Sequence, residues 1–81
     1  MNDAEILDLL KKALLEVAPD RASEFNDVQM SNTIEDLQLD SIALMEMVGF
    51  LEDTLDVTFP DEALPTVNTL ADLGALVRDH Q

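Results

Sequence analysis

The spacing of apolar residues predicts three main helices in this chain. Apolar side chains that recur three or four positions apart, with charged residues between them, are typical of amphipathic helices. The predicted helices run from Asn2 to Ala18, from Ser41 to Leu55 and from Leu70 to about Asp79. Because the apolar face of each one needs a partner, we expect the three to pack together as a bundle.

Helix-start residues precede each of these stretches. Asn2, with Glu5 three positions later, matches a capping box, in which side chain and backbone bond each other reciprocally. Asp40 and Thr69 are residue types that accept a hydrogen bond from a free N–H of the first turn. We therefore assign N-caps to Asn2, Asp40 and Thr69.

Two segments connect the predicted helices. Pro19 ends the first helix, and Asp20 to Asp40 forms a long loop with at most a short helical turn, whose apolar residues we expect to pack on the bundle. Pro60 begins a short helix that Pro65 limits to about one turn. The 81 residues then form one domain, 1–81. The predicted fold is all-α, a small four-helix bundle of three main helices and one short helix, with a long loop between the first and second helices.

The second helix is more apolar than packing alone requires. A core-facing stripe needs three to four apolar positions per two turns, and this helix exceeds that number. The surplus residues, Ile42 and Met45, have carboxylates nearby, which is typical of a docking surface for a basic partner. The alternative is a helix that is buried more fully. The predicted partner-binding face consists of Ile42, Met45, Glu46, Gly49, Glu52 and Asp53.

The charge of the chain agrees with a basic partner. Eighteen acidic residues against four basic ones give a formal net charge of -14, and every ionised side chain from Ala22 to Val77 is acidic. Nucleic acid and anionic membrane surfaces are therefore poor partners, whereas basic proteins are attracted. The simpler alternative is that the acidity only keeps the chain in solution.

Few residues are suited to catalysis or to metal binding. The chain has no Cys, and its one His, His80, lies next to the terminus without a partner for a catalytic triad. It contains no calcium-loop pattern, no signal peptide and no run of 18 apolar residues. We expect a cytoplasmic protein that is not an enzyme, binds no metal and does not insert into membranes.

The sequence around Ser41 resembles the attachment motif of acyl carrier proteins, often written Leu-Gly-x-Asp-Ser-Leu. Here residues 37–42 read Leu-Gln-Leu-Asp-Ser-Ile. Downstream, Glu46, the Glu52-Asp53 pair, residues 57–62 and residues 69–73 also resemble the family. The resemblance spans about Asn2 to Asp79, nearly the whole chain.

The resemblance implies that Ser41 receives 4'-phosphopantetheine, transferred from coenzyme A by a phosphopantetheinyl transferase. Asp40 would cap the helix and be recognised by the transferase. The implied function is to carry acyl intermediates as thioesters in fatty acid or polyketide-type biosynthesis, with the acyl chain sheltered between the helix from Ser41 to Leu55 and the short helix after Pro60. Implied partners are an acyltransferase or acyl ligase, a ketosynthase and related enzymes with basic docking surfaces. We expect a free-standing monomer that begins at Met1.

Other interpretations stay open within and outside this family. A peptidyl or D-alanyl carrier would share the fold and the serine, and a non-carrier acidic helical adaptor would need the acidic face alone. Three residues also depart from the family pattern. Gln38 stands where Gly is frequent, so a changed turn is expected before Asp40. Ala43 replaces a frequent acidic residue, and Gly49 a larger apolar one.

Overall fold

Three α-helices form the molecule that the computed structural model describes for residues 2–80. They are α1 (Asp3–Val17), α2 (Ser41–Leu55) and α3 (Leu70–Asp79). The predicted main helices are confirmed, and the bounds of α2 agree with the prediction at both ends. Within residues 2–80, no helix has the length and apolar character needed to cross a membrane.

The helix starts form as their sequences predict. Asn2 Oδ1 accepts a hydrogen bond from the Glu5 N–H at 2.8 Å, and Glu5 Oε1 accepts one from the Asn2 N–H at 3.1 Å. Thr69 and Asp72 form the same reciprocal capping box at the start of α3. Both boxes satisfy N–H groups that have no partner inside the helix.

The connections contain two 3₁₀ helices, at Pro19–Phe25 and Asp61–Thr66. The second one is longer than the single turn predicted, because it has six residues and continues past Pro65 to Thr66. Bonds that span three residues lie on either side of the proline: the Pro60 carbonyl accepts from the Ala63 N–H at 3.0 Å, and the Leu64 carbonyl from the Val67 N–H at 3.1 Å. Neither bond needs the N–H that proline lacks.

One apolar core fills the space between the three helices. The loops add Phe25, Val28, Ile34, Phe59 and Val67 to it, as expected for a loop that packs on the bundle. Gly74 of α3 lies so close to α1 that a Cβ atom added there would be 3.1 Å from Ile6 Cγ2. This contact explains a glycine inside a helix. The other buried core residues are Ile6, Leu9, Leu10, Ala13, Leu14, Met47, Val48, Leu51, Leu70, Leu73 and Val77.

Backbone hydrogen bonds fasten the long loop to the start of α3. The Ile34 N–H donates to the Asn68 carbonyl at 2.8 Å, and the Leu70 N–H to the Asn32 carbonyl at 3.0 Å. These bonds flank a single antiparallel bridge between Thr33 and Thr69. The loop that leads into α2 is therefore held against α3 before it reaches Ser41.

Candidate functional site at the start of α2

Ser41 is the first residue of α2 and is exposed to solvent. Asp40 precedes it in an extended conformation, and Asp40 Oδ1 accepts a hydrogen bond from the Ala43 N–H at 2.8 Å. The predicted capping role of Asp40 is confirmed. The Ser41 hydroxyl thus lies at a helix N-terminus, where free N–H groups and the helix dipole favour an attached anionic group.

The turn before Asp40 has a left-handed residue. Gln38 has a φ of 56°, in the region that glycine adopts most easily. Glutamine here takes a glycine-like conformation, and the expectation that the turn differs from that of the family stays a prediction. The turn is closed by hydrogen bonds from the Gln38 N–H to the Glu35 carbonyl at 2.9 Å and from the Leu39 N–H to the Ile34 carbonyl at 3.2 Å.

Arg21 reaches this turn from the first 3₁₀ helix. Its Nη2 donates a hydrogen bond to the Leu37 carbonyl at 2.7 Å, and its Nε lies 3.1 Å from Glu24 Oε2. The guanidinium carbon is 5.1 Å from the centroid of the Phe25 ring. From the sequence, Arg21 was interpretable only as one of four positive charges, because no local pattern links it to a residue 16 positions away.

An apolar groove begins at Ser41. It has a volume of about 340 Å³, and its walls come from α2 and from the second 3₁₀ helix. These are the two helices between which the resemblance implies shelter for an acyl chain, and that role of the groove stays a prediction. A groove of this character, with a hydroxyl at its rim, fits a flexible arm that is attached to Ser41 and ends in an apolar group. The lining residues are Ser41, Leu44, Met45, Asp61, Leu64 and Pro65.

The predicted partner-binding face lies on the outside of α2. Ile42 is 68% exposed and Met45 is 65% exposed, so the alternative of a fully buried helix is wrong. Glu46 and Asp53 are also exposed, whereas Gly49 and Glu52 are half-buried. Spacings of three, four and seven residues place Ile42, Met45, Glu46 and Gly49 on one side of the helix. A role of this face in partner binding stays a prediction.

The two adjacent carboxylates of this face, Glu52 and Asp53, differ in their hydrogen bonding. Glu52 Oε2 accepts a hydrogen bond from the Phe59 N–H at 2.8 Å, so this side chain supports the fold as well as the charge of the surface. Asp53, the next residue, is exposed to solvent. The sequence suggested equal roles for the pair, and the structure separates them.

The ion pairs of the described residues lie outside α2. Two ion pairs occur within residues 2–80, Arg21 with Glu24 and Arg78 with Asp3, and neither involves α2. Among the same residues, no three acidic or histidine side chains converge in a way that could hold a metal ion. The outer surface of α2 therefore keeps its negative field available to a basic protein.

Comparison with known proteins adds a family to this geometry. The family model described as "Phosphopantetheine attachment site" matches residues 4–77. A probable acyl carrier protein of Caulobacter vibrioides is 46% identical over 44 residues, which is 54% of this chain and 51% of that protein. An acyl carrier protein of Lactobacillus acidophilus is 30% identical over 100% of this chain and 99% of its own.

A solved structure agrees with the fold. The solution structure of the acetyl actinorhodin acyl carrier protein from Streptomyces coelicolor superimposes with a TM-score of 0.68 at 31% sequence identity. The match covers 89% of this chain and 85% of that one. The helical architecture described above is therefore the same as that of this solved carrier protein.

Proposed function

The chain belongs to the acyl carrier protein family, and from this premise we propose that Ser41 is the residue to which its 4'-phosphopantetheine is attached. The observation that carries the proposal is an exposed serine at the first position of α2, inside the region that the family model matches. When attached, the arm supplies a thiol that holds an acyl group as a thioester.

The residues around Ser41 suit this attachment. One carboxylate oxygen of Asp40 accepts a hydrogen bond from the Ala43 N–H and so fixes the first turn of α2. Its exposure leaves the carboxylate accessible to a transferase. The N-terminal dipole of α2 offsets the negative charge of a phosphodiester at Ser41.

The groove beside Ser41 provides shelter for the carried group. Leu44 and Met45 line one wall and Leu64 the other, so that an acyl chain attached to the end of the arm would contact apolar side chains in the groove. Each methylene removed from water contributes about 0.8 kcal/mol. The identities to the Lactobacillus acidophilus protein and to the actinorhodin carrier are nearly equal, 30% and 31%. We propose that the cargo is an acyl group of fatty acid or polyketide-type biosynthesis, as the resemblance around Ser41 implies.

The outer face of α2 would dock the enzymes that load and use the arm. Ile42 and Met45 supply an apolar centre, and Glu46 and Asp53 supply the negative rim. A phosphopantetheinyl transferase and enzymes of acyl-chain assembly with basic surfaces fit this face, because complementary charge speeds encounter and fixes orientation.

Attachment is tested by intact mass after incubation with coenzyme A and a broad-range phosphopantetheinyl transferase. The native chain is expected to gain one arm with release of adenosine 3',5'-bisphosphate, and Ser41→Ala none. Ser31→Ala, which removes an exposed hydroxyl from the loop, is the matched control and is expected to gain one arm. An arm on Ser41→Ala, or none on the native chain, overturns the proposal.

Docking is tested by reversing one charge on the proposed face. Glu46→Lys is expected to raise the KM of the transferase for this chain, and Glu16→Lys, an equal change at an exposed position of α1, is expected to leave KM unchanged. Equal effects of the two variants would assign the attraction to net charge and not to the face.

A further inference from the structure

The turn that leads into α2 is held in a conformation that its sequence does not favour. Gln38 has a φ of 56°, and a side chain at Cβ is crowded against the backbone in this left-handed region. Such a conformation persists only where the surrounding structure determines it. The contacts that impose it also determine where Asp40 and Ser41 are placed, because these residues follow Gln38 by two and three positions.

Three hydrogen bonds hold the two peptide groups that flank Gln38. Two are made within the loop, from the Gln38 N–H to the carbonyl three residues before it and from the Leu39 N–H to the carbonyl five residues before it. The third comes from Arg21, whose Nη2 donates to the Leu37 carbonyl at 2.7 Å. Since that carbonyl belongs to the peptide bond between Leu37 and Gln38, the third bond fixes the peptide plane on which the φ of Gln38 depends.

Arg21 is itself held on more than one side. Its side chain is only 24% exposed, its Nε is paired with Glu24, and its guanidinium lies against the ring of Phe25, a buried core residue. Only a planar group with several donors can meet a carbonyl, a carboxylate and an aromatic ring together. Arg21 therefore connects the core at Phe25 to the turn at Gln38.

We propose that Arg21 is a positioning residue, which maintains the left-handed turn at Gln38 and so presents Asp40 and Ser41 in the conformation that the transferase binds. This inference rests on the proposed attachment at Ser41. Without the guanidinium, the turn populates other conformations, and the apparent affinity of the transferase falls in proportion to the competent fraction. The turnover number is unaffected, because the bound geometry is the same.

The kinetic test compares three variants in the transferase reaction. Arg21→Gln is expected to raise KM for this chain by about threefold or more, with kcat within about twofold of the native value. Arg21→Lys keeps the charge and one donor toward Leu37 and is expected to recover part of the loss. Arg78→Gln removes the same charge from an exposed ion pair with Asp3 and is expected to behave as the native chain. A native KM for Arg21→Gln, or an equal rise for Arg78→Gln, overturns the inference.

A double variant distinguishes a positioning role of Arg21 from a general loss of structure. Glycine adopts a positive φ without the crowding at Cβ, so Arg21→Gln combined with Gln38→Gly is expected to return KM to within about twofold of the native value. If Arg21 served only to stabilise the fold, KM of both variants would change only with the folded fraction that urea denaturation measures, and that result contradicts the inference.

A third measurement does not depend on the transferase. Backbone chemical shifts of Leu39, Asp40 and Ser41 are expected to move in Arg21→Gln and to return toward native values in the double variant. Unchanged shifts in Arg21→Gln overturn the inference even if no arm is ever transferred. Failure of the native chain to accept an arm, with the shift changes present, would instead refute only the attachment at Ser41.

Discussion

The Glu52 carboxylate accepts a hydrogen bond from the backbone N–H of Phe59, and the distance between Glu52 Oε2 and the Phe59 nitrogen is 2.8 Å. Phe59 is only 3% exposed, so the bond ties the segment after α2 back onto the helix at the point where that segment enters the core. Glu52 therefore belongs both to the acidic face of α2 and to the support of the fold.

Removing this acceptor is expected to destabilise the protein. Glu52→Ala should lower the free energy of unfolding by about 1–2 kcal/mol, because the Phe59 N–H loses its partner in a half-buried position. Glu52→Gln keeps an acceptor oxygen and should lower it less. Asp53→Ala, at the exposed neighbour, removes equal charge and should not lower it. Urea denaturation measures all three, and a loss for Asp53→Ala as large as that for Glu52→Ala contradicts the assignment.

The two glycines are expected to respond oppositely to the same substitution. A Cβ at Gly49 meets nothing within 4 Å, so Gly49→Ala should raise the free energy of unfolding by about 0.5–1 kcal/mol through helix propensity. A Cβ at Gly74 would lie 2.8 Å from Met30 Cε and 3.1 Å from Ile6 Cγ2. Met30 can move its chain end, but the branched Ile6 is stiff, so crowding of about 1–3 kcal/mol should exceed the propensity gain.

Thermal or urea unfolding of the two alanine variants decides this comparison. Gly74→Ala is also made in a chain that already carries Met30→Ala, because that change removes one of the two close atoms. We expect Gly74→Ala to cost less there than in the native chain. A stabilised Gly74→Ala would mean that α1 and α3 separate at little cost.

Local signals explain which parts of the fold were predictable. Asn2 with Glu5, and Thr69 with its capping partner, lie three residues apart in sequence, and the bonds that start each helix join those same residues. Ser41 was identifiable for the same reason, since Asp40 and the following apolar run are its neighbours along the chain. Each of these features is decided within one helical turn.

The features that escaped prediction depend on residues distant in sequence. Arg21 contacts Leu37 across 16 positions, and no periodicity connects them. Gln38 has a positive φ next to that contact, and glutamine is not a residue type from which a left-handed conformation is predicted. The bond from Phe59 to Glu52 likewise requires the chain to turn back after α2, which only the packed structure determines.

Asp72 is expected to make stability depend on acid pH. Hydrogen bonds from the Asn68 and Thr69 N–H groups favour the charged carboxylate and hold the pKa of Asp72 below its ordinary value. A lowered folded-state pKa gives stability that is present above the unfolded-state pKa, about 3.9, and is lost as pH falls through the folded-state value. The destabilisation caused by Asp72→Ala should therefore be largest near neutral pH and shrink below about pH 4.

The control for this pH dependence is Asp8→Ala, which removes the same charge from the exposed surface of α1. Urea midpoints at pH 7 and pH 3 give the comparison. A cost of Asp72→Ala that is the same at both pH values would show that the capping box works through packing alone, without the charge of the carboxylate.

Salt is expected to raise the thermal midpoint, because the formal net charge of -14 is confined to a small volume. The described chain measures 29 × 25 × 22 Å. At 0.01 M ionic strength the screening length is about 30 Å, so every carboxylate repels every other one; at 0.1 M it is about 10 Å, and only neighbours interact. Since each kcal/mol shifts the thermal midpoint of a domain this size by about 4–8 °C, relief of even part of the repulsion gives a rise of several degrees.

The double variant Glu46→Gln with Asp53→Asn lowers the negative charge of α2, and its thermal midpoint should rise less over the same salt range. If both proteins gain equally, the added salt acts on apolar burial, and repulsion along α2 is not what limits the folded state at low salt.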